Sequence, residues 1–322
     1  MRYIILGAGA VGGVIGGRLH AAGRDVVLVA RGAHLEALQR DGLHLLTPDG
    51  PEHHRIRSVA RPADAGLTDD DVVVLTVKSQ DSAVALEDLA VDAPAGIAVV
   101  CAQNGVANEP LALRRFAAVY GMCVILPSQH LSPGVVVQQS APSAGVLDVG
   151  RYPRGTDTRA EAIAADLEAA SFRSADDPDV MRKKHRKLLM NLGNALDALC
   201  GWEARSSELY RLAQAEGAAC FAAAGIDVQS AEEEQARRDG GVSLRPVEGQ
   251  DRGGSSSWQS LARGTGSIET DYLNGEIVLL GRTHGVPTPV NEVLQRAANA
   301  AARDGRAAGS LDLGELQAML EG

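Results

Sequence analysis

Lys187, Asn191 and Asn194 lie in one segment, Lys187 to Leu199, whose leucines at 188, 189, 192, 196 and 199 repeat at helical spacing. At 3.6 residues per turn the lysine and both asparagines share a face beside that apolar stripe. An amine and two amides pointing one way can donate to a carboxylate or a carbonyl, and the lysine can serve as a general acid where its surroundings hold the proton suitably. An exposed polar face has the same pattern, and Lys187 closes a basic run, Arg182 to Lys187, of a kind that is usually solvated. A second segment, Ser267 to Gly275, is expected to start a helix that continues through Ile277 and Leu280 and stops at Gly285 and Pro287. Glu269 falls in its first turn, where the helix dipole favours a carboxylate, so capping alone also accounts for it. Ser255, Ser256, Ser257 and Trp258 stand shortly before.

A different chemistry is written between residues 3 and 31. The apolar run Tyr3 to Leu6 enters Gly7, Ala8, Gly9, Ala10, Val11 and Gly12, a G-x-G-x-x-G followed by a helical pattern. In this strand-to-helix setting Gly7 permits a tight turn, Gly9 lets a pyrophosphate approach the backbone, and Gly12 lets the helix pack closely on the strand. The helix N-terminus then favours the phosphates. Asp25 to Ala30 reads as the second strand, and the residue after it is the one that meets the adenosine ribose in such an architecture. That residue is Arg31, with no acid beside it. A guanidinium suits a 2′-phosphate through bidentate charge-assisted bonds, so the cofactor expected is NADP(H) rather than NAD(H); a solvated arginine after a strand is the plainer alternative. His34 is a lone loop histidine with little weight of its own.

The elements that must carry these residues alternate in the first half. Val72 to Val77 and Ile97 to Cys101 read as buried parallel strands, which places Lys78 and then Gln103, Asn104 and Gly105 at strand carboxyl ends, where doubly wound sheets bind ligands. Val119 to Ile125, Val135 to Gln139 and Gly145 to Val149 are expected to complete the sheet, and a helix from Thr158 to Ala170 to close the domain. After Phe172 the pattern turns helical. The fold class is therefore α/β: an N-terminal Rossmann-type doubly wound sheet over 1–175 with an all-α C-terminal domain over 176–322 for substrate or dimerisation. Asp239 to Gly254, rich in glycine and charge, reads as a loop able to move over a site.

Composition narrows the partners. Hydrophobic residues make up 45% but aromatics only 3%, so the core is built from Ala, Val, Leu and Ile. A net charge of −10 argues against nucleic acid and for a small soluble ligand. Cys101, Cys123, Cys200 and Cys220 are widely spaced and read as reduced, buried thiols. No apolar run approaches the roughly 20 residues of a membrane helix, and glycines interrupt what could pass for a signal peptide, so the expected location is the cytoplasm. No H-E-x-x-H or Cys/His cluster asks for a metal, and His53-His54 reads as a loop or strand-end pair. An Ala-rich helical domain is compatible with a homodimer.

Taken in order, Gly7-x-Gly9-x-x-Gly12, Arg31-Gly32, Thr76-Val77-Lys78, Gln103-Asn104-Gly105, Lys187 with Asn191, and Glu269 to Gly275 resemble the ketopantoate reductase (2-dehydropantoate 2-reductase) family along nearly the whole chain. The resemblance implies NADPH-dependent reduction of a branched 2-keto acid to its 2-hydroxy acid. It implies that Lys187 stabilises and protonates the developing alkoxide and that Glu269 binds the substrate hydroxyl and orients the lysine. Asn191, Asn194 and Ser257 would hold the substrate, and Lys78 and Asn104 would border cofactor and substrate. Two positions depart from the family pattern. Asn194 follows Asn191 by three residues where four is usual, Ala195 taking the expected place, and Gln259-Ser260 stands where Gln-Asp is common. A relative acting on another ketone or 2-keto acid, and a non-catalytic NADP(H)-sensing protein, are the alternatives.

Overall fold

Every residue of Asp71–Leu75 is buried, as expected of a strand covered on both faces. It is one of seven strands in the main sheet. In a computed structural model that describes residues 1–238, 242–250 and 253–321, the strands are β1 (Arg2–Leu6), β2 (Asp25–Val29), β3 (Leu43–Thr47), β4 (Gly50–His54), β5 (Arg57–Val59), β6 (Asp71–Leu75), β7 (Ala98–Cys101), β8 (Ala118–Ile125), β9 (Ser128–Gln129), β10 (Val135–Gln138), β11 (Ser140–Pro142), β12 (Val146–Arg151) and β13 (Val242–Leu244). The helices are α1 (Ala10–Ala21), α2 (Gly32–Asp41), α3 (Ser82–Asp92), α4 (Asn108–Leu113), α5 (Thr158–Ala169), α6 (Val180–Asn191), α7 (Gly193–Cys200), α8 (Glu208–Ala223), α9 (Ala231–Arg238), α10 (Ser256–Ala262), α11 (Asn274–His284), α12 (Pro289–Arg303) and α13 (Leu313–Glu321).

The chain divides into two units. The first takes Met1–Gln103, Asn108–Lys184 and Ala231–Asp251; the second takes Asn104–Ala107, His185–Ser230 and Arg252–Gly322. The division thus falls nine residues beyond the expected 175, with two short excursions that periodicity does not announce.

In the first unit the main sheet runs β12-β8-β7-β6-β1-β2-β5, parallel throughout except for β12 against β8. Alternate strand residues serve opposite faces. Ile5, Leu28, Val74 and Val100 join Val14 and Ile15 of α1 and Ile163 and Leu167 of α5, while Ile4, Val27, Val73 and Val99 join Leu86 and Leu89 of α3 and Ala112 of α4. The Val135 strand does not complete this sheet as expected. It lies parallel to β3 in a separate four-stranded sheet, β4-β3-β10-β9, and His53-His54 ends β4 there. Within the described part of Asp239 to Gly254, Val242–Leu244 is not loop but forms β13, which pairs antiparallel with β11, and Arg245 N–H donates to the Gln139 carbonyl at 2.9 Å. Residues 239–241 and 251–252 of that segment lie outside the described residues.

The second unit is helical, with no strand among its described residues. The expected helix from Lys187 to Leu199 is two helices, α6 and α7, parted at Leu192, though the backbone stays right-handed there (φ −59°, ψ −26°). Leu188, Leu192, Leu196 and Leu199 are all buried, so the apolar stripe survives the break. Likewise Glu269–Tyr272 is a 3-10 turn, and Leu273 (φ −117°, ψ −87°) separates it from α11, which ends at Gly285 in the left-handed conformation. The Leu192 carbonyl accepts from the side chain of Asn274, a partner that local periodicity does not show.

Candidate functional site

In the first unit the glycine turn is built as its sequence requires. Gly7 has φ +111°, and a Cβ there would fall 2.7 Å from the Val77 nitrogen. A Cβ on Gly12 would meet the Gly7 carbonyl and lie 2.5 Å from Thr76 Oγ1, whereas one on Gly9 would meet nothing within 4 Å. Thr76 fixes the turn by donating its hydroxyl to the Gly7 carbonyl at 2.8 Å. Gly9 caps α1 without any side-chain hydrogen bond. An open approach over Gly9, at a helix N-terminus whose first amides point outward, fits a dinucleotide diphosphate. His34 belongs to this turn in a structural way. Its Nδ1 accepts from Gly134 N–H at 2.9 Å, which leaves Nε2 to donate to the Ala8 carbonyl at 2.7 Å. Burial pushes its imidazole below the usual value of 6.5, and the bond to Ala8 opposes that only in part.

Arg31 caps α2 at the end of β2 and reaches Asp88 of α3, with Nη2 3.2 Å from Oδ2 and both side chains largely exposed. Lys78 is half-buried just past β6, at the cap of a 3-10 turn over Ser79–Asp81. Gln103 follows β7 with its side-chain amide donating to the Val77 carbonyl and to Ser82 Oγ, each at 2.7 Å.

In the second unit Lys187 Nζ donates to Asn104 Oδ1 at 2.8 Å. Gly105 (φ +78°) lets that turn approach the 269–273 segment, since a Cβ on it would lie 2.8 Å from the Tyr272 carbonyl. Glu269, in the same segment, is only 2% exposed. The segment is held by Thr270 Oγ1 donating to Asn274 Oδ1 at 3.3 Å, and Asn274 Nδ2 donates to the Leu192 carbonyl at 3.2 Å. Asn274 thereby ties the break between α6 and α7 to the turn carrying Glu269. Asn191 Nδ2 and Ser257 Oγ are buried with no hydrogen-bond partner among the described residues, an expensive condition for polar groups unless something else binds there. Ser257 is placed by the Asp197 carboxylate, which accepts from Ser255 N–H at 2.5 Å. Asn194 has a partner of its own: its Oδ1 accepts from Arg205 Nη1 at 2.9 Å, and Arg205 also caps the Met190 carbonyl and stacks over Trp202 and Tyr210.

Residues 3–154 match the family Ketopantoate reductase PanE/ApbA, and residues 179–302 match its counterpart Ketopantoate reductase PanE/ApbA C terminal. A 2-dehydropantoate 2-reductase of Archaeoglobus fulgidus is 31% identical over 302 residues, covering 91% of this chain and 95% of the relative. The chain belongs to the ketopantoate reductase family. A 2-dehydropantoate 2-reductase of Halobacterium salinarum is 29% identical over 316 residues, covering 95% of this chain and all of the relative. Among solved structures, a PanE/ApbA family ketopantoate reductase from Ralstonia eutropha has a TM-score of 0.78 at 28% identity, covering 95% of this chain and 99% of the other. A D-mandelate dehydrogenase bound to NADH and anilino(oxo)acetate shares the fold, with a TM-score of 0.80 at 21% identity over 95% of this chain and 99% of the other. As a family member this chain is a NAD(P)-dependent oxidoreductase acting on CH–OH groups, with a small keto acid as substrate.

Within this ketopantoate reductase fold several residues at the site carried no chemical signature in the sequence. Asn274, Thr270, Asp197 and Arg205 act through partners 4 to 82 positions away. The basic run is not the solvated face its charge suggested. Lys183 pairs with Asp148 and Asp177, each at 2.6 Å, and Lys184 is buried against Glu109 at 2.5 Å. All four thiols are free, but Cys200 is half-buried rather than buried, and desolvation with nearby Asp312 and Glu315 pushes it up to about 11. Among the described residues no helix is long and apolar enough to cross a membrane, and no group of three or more His, Cys, Asp or Glu is placed to hold a metal ion.

Proposed function

We propose that this protein is an NADPH-dependent 2-dehydropantoate 2-reductase in which Lys187 is the general acid. One observation carries the reading. The Lys187 ammonium is held at 2.8 Å on Asn104 Oδ1, in the unit that also buries the Glu269 carboxyl and the partnerless Asn191 Nδ2 and Ser257 Oγ. Those are the donors and the acceptor that a 2-keto acid with a hydroxyl requires. Asn191 and Ser257 donate to the substrate, Glu269 accepts its hydroxyl and orients the lysine, and Lys187 faces the keto oxygen. The diphosphate sits over Gly7 to Gly12, with Ala8, Ala10 and Val11 contributing backbone, Arg31 holds the 2′-phosphate, and Lys78 and Asn104 border the nicotinamide. The chemistry a bound nicotinamide supplies is a hydride for the carbonyl carbon.

As negative charge grows on the keto oxygen, an ammonium already in place stabilises the transition state more than the neutral ketone, and its proton ends on the alcohol. Asn104 accepts one N–H of Lys187, which fixes the amine without neutralising it. The Arg205 bond to Asn194 argues for dropping Asn194 from the substrate contacts. Turnover of ketopantoate with NADPH, with NADH and a panel of other 2-keto acids alongside, tests the reading. Preferred turnover of ketopantoate with NADPH, reduced about 10²-fold or more by Lys187→Ala, supports it. A near-wild-type rate in that variant removes Lys187 from the chemistry, and preference for another keto acid reassigns the substrate.

A further inference from the structure

Lys184 and Glu109 have no part in the chemistry above, yet both are sealed inside the first unit, with side chains 2% and 0% exposed and Nζ 2.5 Å from Oε1. The same ammonium donates to the carbonyls of Cys101 at 3.2 Å, Gln103 at 3.0 Å and Met122 at 3.3 Å. An ammonium has three N–H groups and tolerates sharing among several acceptors. Here it fastens the end of β7 to β8 and grips the first residues to leave the sheet. Gln103 is then held twice, by its carbonyl on Lys184 and by its side chain on Val77 and Ser82. The next residue is Asn104, whose side chain accepts from Lys187. A buried ion pair alone is weak evidence for stability, because apolar residues of similar volume often serve as well. Two carbonyls from the exit of β7 and one from β8, gathered on one ammonium, point instead to placement.

We propose that Lys184, charge-paired by Glu109, is a positioning residue that fixes the Gln103 carbonyl and hence the peptide from which Asn104 holds Lys187. This rests on the reading of Lys187 as proton donor. Misplacing a catalytic group by about 1 Å can lower a rate by up to about 10²-fold, so the effect belongs in kcat.

The test is a double-mutant cycle on the full chain, with ketopantoate and NADPH as substrates and thermal unfolding in parallel. Lys184→Met with Glu109→Leu leaves no uncompensated buried charge. It should keep Tm within a few degrees and lower kcat about tenfold with KM for NADPH unchanged. Added to Asn104→Ala, it should cause no further loss. Wild-type kcat in the Lys184/Glu109 variant, or losses that multiply with Asn104→Ala, overturns the proposal. If Lys187→Ala slows turnover while Asn104→Ala does not, the route through Asn104 is wrong and the lysine reading stands. If Lys187→Ala is as fast as wild type, both fall. Should the paired variant not fold, Lys184→Gln with Glu109→Gln, a neutral pair in which residue 184 keeps two N–H for the same carbonyls, replaces it. A loss of a few fold that vanishes in the Asn104→Ala background supports the proposal, and a loss that multiplies overturns it.

Discussion

Arg31 stands where two demands meet, since its guanidinium lies 3.2 Å from Asp88 and is largely exposed. Exposed pairs of this kind contribute roughly 0.2–1 kcal/mol, less than a charge-assisted bidentate bond to a phosphate, so under the proposed NADPH reading Asp88 would give way to the 2′-phosphate. Arg31→Ala should raise KM for NADPH by about tenfold, the loss of one charge-assisted bond, and leave KM for NADH within twofold. Asp88→Asn should lower KM for NADPH by a few fold, because a carboxylate beside the phosphate repels it. Steady-state kinetics with both cofactors decides, and an unchanged NADPH to NADH ratio in Arg31→Ala would remove that residue from cofactor choice. Arg31 could be placed from the sequence because strand β2 counts out its position. Asp88 could not, being 57 residues on and brought there by α3 packing on the sheet. Asn194 shows the converse: its spacing from Asn191 suggested a shared face, but the guanidinium of Arg205 claims its oxygen.

At the scale of elements, the strand, glycine turn and helix over residues 2–21 separate two kinds of glycine. Gly9 has φ −72° and open space where a Cβ would go, while Gly12 has the Gly7 carbonyl and Thr76 in that position. Gly9→Ala should therefore leave Tm within a degree or two and weaken NADPH binding markedly, because its methyl occupies the diphosphate approach. Gly12→Ala should lower Tm by several degrees as α1 is forced off β1, a penalty of about 1–3 kcal/mol for overpacking, and lose cofactor affinity with it. Thermal unfolding and cofactor titration by fluorescence read both effects; equal Tm losses in the two variants would contradict this division of roles. The turn was legible because glycine spacing, strand and helix occur within one local stretch. The break at Leu192 was not, because the side-chain amide that donates to its carbonyl, that of Asn274, lies 82 residues away. The Val135 strand was read as a strand correctly and given the wrong sheet, since its apolar run specifies burial but not its partner β3.

Over the whole molecule, the change to helical pattern near residue 175 marks the fold class, while the first unit runs on to Lys184 and takes in Ala231–Asp251, and it holds ion pairs that the pattern does not show. Asp148 of β12 is their hub, with its side chain 2% exposed. It accepts from Lys183 of α6 at 2.6 Å and from Arg237 of α9 at 2.5 Å. Burial by itself would raise this carboxyl above its ordinary value of 3.8; the hydrogen bonds from Arg237 and Lys183 outweigh that and hold it lower. A group whose folded value is depressed stabilises the fold fully above its unfolded value, and that stability drains away as pH falls through the folded one. Asp148→Asn should therefore lower Tm by several degrees at pH 7, in line with about 3 kcal/mol for breaking a mostly buried pair. The gap between variant and parent should narrow steadily below about pH 4, where the parent's own carboxylate takes up a proton. Calorimetry across pH 2.5 to 7 measures it. A gap that stays constant over that range would mean the carboxylate's shape rather than its charge joins β12 to α6 and α9.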